Sequence, residues 1–247
     1  MSHPQAVAPQ VNRIQHTVLS RAERHLLNWL CARLPRWVTP DMLTSLALVA
    51  AAVIFGAYAM SNANPAWLWL AVAGYFVHWF GDSLDGSLAR FRRIERPRYG
   101  YFIDHSCDGL AILLILGGLG ASPYVRVDIA LFALTCYLLL AVNTFLIAKV
   151  MGDFHLSHLG AGPTELRVLL IVVTITMFII GPETNALPGF SGFDLFVGGC
   201  SVILLAVFLT QTWRTGRMLS AHDKPRSLHA SDTVDTVQRP SVAHPIR

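Results

Sequence analysis

Six apolar runs fill the chain between residues 41 and 213: 41–60, 66–91, 99–121, 125–150, 163–181 and 193–213. At ~1.5 Å per helical residue, each can cross a hydrocarbon core about 30 Å thick. In lipid the backbone has no water to bond to, so such runs satisfy themselves as helices. The expected fold is an all-α integral membrane protein with six transmembrane helices. Composition points the same way. Only 14% of the residues are charged and 53% are hydrophobic, against about 25% charged in soluble domains.

Four aspartates break this pattern. Asp82 and Asp85 close the second run, and Asp104 and Asp108 open the third. On insertion scales a carboxylate at the centre of a span costs roughly 2.5–3.5 kcal/mol. Four of them near one membrane boundary call for a shared cation. At 100° per residue, Asp82, Asp85, Gly86 and Ala89 lie on one helix face, and Asp104 and Asp108 on one face of the next helix. Two antiparallel helices joined by a short turn can therefore bring all four together. Such hard oxygen ligands suit Mg²⁺, Mn²⁺ or Ca²⁺ better than zinc. Gly86 and Ala89 leave the face bare for a bulky ligand. Arg90 ends it with a donor fork suited to phosphate. Together these residues describe a metal-pyrophosphate site.

The spacing Asp82-x-x-Asp85-Gly86-x-x-Ala89-Arg90, then Gly100-x-x-x-Asp104-x-x-x-Asp108, resembles the signature of the CDP-alcohol phosphotransferase family. Every fixed position is present. The resemblance implies a membrane enzyme of six spans, commonly a homodimer, that joins the phospho-alcohol of a CDP-alcohol to a second alcohol and releases CMP. It implies Asp82, Asp85, Asp104 and Asp108 as ligands of Mg²⁺ or Mn²⁺, two ions in all. Gly86, Ala89 and Arg90 would receive the CDP moiety. Asp104-His105-x-Cys107-Asp108 and Gly162-Pro163-Thr164-Glu165 resemble the choline and ethanolamine phosphotransferase branch. There the histidine is a candidate base helped by the glutamate. Two bases thus compete for the acceptor proton: His105, with Glu165 orienting its imidazole, and Asp108. A neutral imidazole accepts protons at cellular pH, whereas a metal-bound carboxylate is a poorer base. Glu165 also reads as a first-turn acid favoured by the helix dipole, and His105 as a residue that supports the ligands without taking the proton.

The implied reaction is transfer of phosphocholine or phosphoethanolamine from a CDP-alcohol to a lipid hydroxyl such as diacylglycerol. The alternative within the family is CDP-diacylglycerol-dependent transfer of a phosphatidyl group to inositol phosphate, glycerol phosphate or serine. Ile103-Asp104-His105 speaks against it. A cation transporter would account for the carboxylates but not for Gly86, Ala89 and Arg90.

Three regions follow from patterning. Residues 1–40 form an N-terminal segment in which 18–34 read as an amphipathic helix lying on the membrane face, with Leu19, Ala22, Leu26, Leu30 and Leu34 as its apolar stripe. Residues 41–213 form the membrane domain. Residues 214–247 read as a polar, disordered tail. Of the 19 Lys and Arg residues, all but Arg126 fall on one side of this topology. Both termini and the aspartates are therefore expected on the cytoplasmic face, with a bacterial inner membrane as the expected host. The pI of 9.1 reflects that asymmetry, not nucleic acid. No cleavable signal peptide is expected, since no apolar segment with a small-residue cleavage site opens the chain. Cys31, Cys107, Cys136 and Cys200 show no metal or redox spacing. His78, one turn before Asp82, reads as packed interior or as a ligand-orienting group. His155-x-x-His158 with Asp153 reads as a polar loop, and Arg92–Arg98 as cytoplasmic charge.

Overall fold

The computed structural model describes residues 20–151, 163–182 and 185–223. It contains seven helices among these residues: α1 (Ser20–Arg33), α2 (Pro40–Met60), α3 (Leu68–Arg92), α4 (Pro97–Ala121), α5 (Val127–Met151), α6 (Pro163–Ile180) and α7 (Gly192–His222). Helices α2 to α7 correspond to the six apolar runs. Four of them, α2, α4, α5 and α7, are long and apolar enough to cross a membrane. In α3 the aspartates and arginines dilute the hydropathy, and α6 carries Glu165 and Arg167 in only 18 residues.

Local signals set the helix starts. Thr39 accepts a hydrogen bond from Met42 N at 3.2 Å, and Pro40 follows with its φ already helical. Ser191 and Asp194 form a reciprocal capping box that starts α7. Helix α2 is central and packs on both α3 and α4, while α5 pairs with α7 and α6 leans on α3. The α2–α3 crossing is close because Gly81 permits it. A Cβ there would lie 2.5 Å from Leu43 O and 2.8 Å from Ala47 N. Gly118 plays the same part against α2, where a Cβ would meet Phe55 Cα at 2.6 Å.

The main core gathers Ile54, Leu68, Ile115, Leu119 and Met177. Three buried hydroxyls satisfy one another: Tyr58 Oη lies 3.1 Å from Tyr75 Oη and 2.6 Å from Thr174 Oγ1, tying α2, α3 and α6. Large apolar side chains on the outer faces, such as Phe76, Leu146 and Ile179, remain exposed. A soluble fold would not leave so many in water.

Helix α1 forms where expected, and Leu30 and Leu34 of the expected stripe pack against an inner cluster. Leu27 and Cys31 pack with Val38, Leu43, Leu84 and Leu88, while Leu26 is 45% exposed. Polar contacts fix this packing. Glu23 accepts from Trp79 Nε1 at 3.0 Å and from Thr164 Oγ1 at 2.8 Å, holding α1 to α3 and α6. Arg92, expected only as cytoplasmic charge, donates to the carbonyls of Leu34 (3.0 Å), Pro35 (2.8 Å), Arg36 (3.3 Å) and Val38 (2.5 Å). It thereby clamps the turn between α1 and α2.

Two further features concern the end opposite the aspartates and the last helix. Between α6 and α7, Asn185–Leu187 and Phe190–Ser191 pair as a short antiparallel ribbon, β1 and β2. Asp194 accepts from Arg126 N at 2.7 Å and ties that ribbon to the start of α5. Helix α7 runs on to His222, past the boundary expected at 213, so residues 214–222 are helical instead of disordered. The 153–158 histidine loop, Gly162 and the tail beyond 223 lie outside the described residues.

Candidate active site

The four aspartates meet because the chain reverses sharply between α3 and α4. Arg93 takes a left-handed conformation (φ 56°), and Ile94 N bonds back to Ala89 O at 3.0 Å. This C-terminal closure ends α3 and lets Pro97 start α4 four residues later. The face of α3 bearing Asp82 and Asp85 then confronts the first turns of α4, under α2.

The carboxylates are close-set. Asp108 lies against Asp82, and Asp85 lies within electrostatic reach of both Asp82 and Asp104. Thr44, on α2, donates to Asp85 Oδ2 at 2.6 Å, and Gly86 N donates to Asp85 Oδ1 at 2.5 Å. Ligand atoms of Asp104, His105 and Asp108 all lie within 4.8 Å of one another. A gap of about 10 Å³ remains among Thr44, His78, Asp82, Asp104 and Asp108, room for roughly one water or one small ion.

Two residues here were not singled out from the sequence. Arg167, on α6, donates to Asp82 Oδ2 at 2.5 Å, and the pair is largely buried. Its sequence signal is a guanidinium four residues inside an apolar run. Thr44 carried no signal, since a hydroxyl in a span is common. His78 is 5% exposed and borders the same gap, and its Nδ1 has no hydrogen-bond partner among the described residues.

The remaining expected residues sort by distance from this cluster. His105 belongs to it: Nδ1 is 3.2 Å from Asp104 Oδ2, though not in hydrogen-bond geometry. The ring sits between Tyr101 and Phe145, with centroids 4.2 and 5.1 Å away. Glu165 occupies the first turn of α6, two residues before Arg167. Arg90 folds along its own helix. Its Nη1 is 3.4 Å from where a Gly86 Cβ would lie, and Nη2 is 3.4 Å from Ser87 Oγ. Gly86 thus makes room for the guanidinium itself, and Ala89 is half-buried beside it. Asp41 pairs with Arg96 at the surface.

A sequence model described as CDP-alcohol phosphatidyltransferase matches residues 37–213, which include every residue of this cluster. The chain belongs to the CDP-alcohol phosphatidyltransferase family. Its curated relatives include cholinephosphotransferase 1 of Danio rerio, 29% identical over 136 residues, 47% of this chain and 35% of that protein. Cholinephosphotransferase 1 of Gallus gallus is 29% identical over 141 residues, 49% of this chain and 42% of that protein. An uncharacterized class-I family protein of Dictyostelium discoideum is 25% identical over 178 residues, 65% of this chain and 40% of that protein. The chain thus spans less than half the length of these relatives. All three come from eukaryotes, so they lend no support to a bacterial host.

Members of the CDP-alcohol phosphatidyltransferase family are generally dependent on a divalent metal, and the residues present fit one. Asp82, Asp104 and Asp108 border one gap, Asp85 lies within electrostatic reach of Asp82 and Asp104, and Arg167 is the one guanidinium shown paired with them among the described residues, an excess of negative charge that a hard cation would balance. Asp82, Asp85, Asp104 and Asp108 could supply oxygen ligands, and His105 could supply a nitrogen.

Arg167 then acts as the charge partner of Asp82 when no cation is bound. Truncating one member of a largely buried pair costs on the order of 3 kcal/mol. Arg167→Ala should lower the melting temperature in chelator and widen the rise in melting temperature on adding Mg²⁺. Thermal scans of purified protein with EDTA and with Mg²⁺ check this. An unchanged gap between the two conditions would show that Arg167 does not offset the aspartate charge.

Proposed function

We propose that the protein transfers phosphocholine or phosphoethanolamine from a CDP-amino alcohol to the hydroxyl of a lipid such as diacylglycerol, releasing CMP. The observation that carries this reading is the meeting of Asp82, Asp85, Asp104 and Asp108 across the α3–α4 reversal in a member of this family. The printed names of the relatives, cholinephosphotransferase 1, favour the amino-alcohol donor.

In this reading Asp82, Asp85, Asp104 and Asp108 hold two Mg²⁺ or Mn²⁺ ions. Bound there, the ions supply Lewis acidity and neutralise the pyrophosphate. Gly86 and Ala89 give the CDP moiety a close approach to α3, and Arg90 swings from Ser87 to a phosphate oxygen. The acceptor oxygen attacks the phosphorus that bears the amino alcohol. The bond from that phosphorus to the bridging oxygen breaks, and CMP leaves with the electron pair. The acceptor proton passes to His105 Nε2. Asp104, beside Nδ1, fixes the ring, and Glu165 adds a second carboxylate from α6 to orient it. Asp108 stays a ligand.

Helices α3 and α6 complete six spans. At 25 residues, α3 reaches about 37 Å, and its polar residues sit at the active-site end. Eighteen of the 19 Lys and Arg residues support a cytoplasmic active site and cytoplasmic termini. Helix α1 lies along that face, with exposed Trp29 at the headgroups. The active unit is a homodimer.

The test is a matrix of CDP-choline, CDP-ethanolamine and CDP-diacylglycerol against lipid and polar alcohols, read by CMP release with Mg²⁺, Mn²⁺ and EDTA. CMP release confined to the amino-alcohol donors with diacylglycerol, and abolished by EDTA, is expected. Release from CDP-diacylglycerol alone would replace this reading with the phosphatidyl-transfer one.

A further inference from the structure

On the outer surface of α4 and α5 lies an open groove of about 450 Å³, lined by Tyr101, Phe102, His105, Phe145, Ala148 and Lys149. We infer, granted the transfer reaction proposed above, that this groove seats the glycerol end of the acceptor lipid and presents its hydroxyl to His105.

Continuity with the aspartate cluster is the first support. His105 belongs to both: it lines the groove, and its Nδ1 is turned inward to 3.2 Å from Asp104 Oδ2. A hydroxyl in the groove therefore meets the imidazole without crossing the aspartates. The flanking rings of Tyr101 and Phe145 hold that imidazole in place.

The chemistry of the walls selects the occupant. Both helices are long and apolar enough to span a membrane, so the groove faces lipid. Its described lining is mostly aromatic and aliphatic, with the Ser106 hydroxyl, the His105 imidazole and one ammonium, Lys149, in the last turn of α5. Among the described residues no carboxylate lines it, so the ammonium head of the donor finds no counter-charge among them. A neutral glycerolipid alcohol does fit: rings and Ala148 take the glycerol carbons, and the Lys149 ammonium donates to an ester carbonyl. The volume lies within the range of small-ligand sites but is too small for two acyl chains. Those run outward over Gly109, which has nothing within 4 Å of its Cβ position, and past exposed Leu110 and Val142.

Filling the groove tests this directly. Ala148→Trp in the full chain should raise the KM for diacylglycerol at least tenfold while leaving the KM for the CDP-alcohol within twofold. Lys149→Gln, which removes the carbonyl donor without added bulk, should raise the same constant several-fold. A second readout does not depend on turnover. Diacylglycerol carrying a diazirine near its glycerol, photolysed with the purified protein in vesicles, should label residues 101–106 and 145–149. Unlabelled diacylglycerol should suppress that label, and Ala148→Trp should abolish it. Labelling elsewhere, labelling suppressed by anionic phospholipid instead, or equal shifts in both KM values would overturn the assignment. Absence of CMP release from every donor, with labelling intact, would instead count against the transfer reaction and leave the groove a lipid-alcohol site.

Discussion

Asp108→Asn should lower CMP release by about 10³-fold or more while the protein still folds. The expected size follows from weakening the hold on a cation that would stabilise developing negative charge in a water-poor site, where single electrostatic groups are worth ~10²–10³ in rate. Asp108 lies against Asp82, faces Asp104 and shares a ligand cluster with His105. Asparagine keeps the size and one carbonyl oxygen but loses the charge, and it can hydrogen-bond Asp82. The melting temperature in EDTA should therefore hold or rise, because the crowded carboxylates lose one repulsive member. The rise in melting temperature on adding Mg²⁺ should shrink. Chromatographic detection of CMP together with thermal scans checks both. Activity within tenfold of the parent would remove Asp108 from the metal site.

Gly81→Val should be the most damaging substitution away from the acids. A Cβ at 81 would lie 2.5 Å from Leu43 O and 2.8 Å from Ala47 N. Both are backbone atoms, so no rotamer change relieves the clash and α2 must move. Overpacking of this kind costs ~3 kcal/mol, or about 10 °C in melting temperature for a chain of this size. The damage should reach the site as well, since Thr44 lies between the two clashing residues and donates to Asp85 at 2.6 Å. Gly56→Ala is the matched control: nothing lies within 4 Å of that Cβ position, so it should be nearly neutral. Gly81→Val with a parent-like melting temperature and full activity would contradict the tight α2–α3 crossing.

Much of this was readable from the chain because lipid leaves few options. A 20-residue apolar run has to be a helix, and the positions of Thr39, Pro40, Pro97 and Pro163 mark where helices start. The aspartate pairs were legible as one site because helical spacing puts each pair on a single face. What escaped the sequence depends on contacts between distant residues. Arg167 pairs with Asp82 across 85 positions, and Thr44 reaches Asp85 across 41; neither separation leaves a local pattern. The β1–β2 ribbon is too short for alternation to reveal it. The α7 extension past 213 was missed because its last turns are polar and the apolar run had ended.

Mn²⁺ binding to the purified protein, followed by electron paramagnetic resonance alongside CMP release, is the most direct test of the central claim. The account predicts two Mn²⁺ ions per chain, spin-coupled through shared carboxylates. Asp82→Asn or Asp108→Asn should lose at least one of them, and transfer should stop when both are removed. A chain that binds no Mn²⁺ at these aspartates and still releases CMP at full rate in chelator would contradict it.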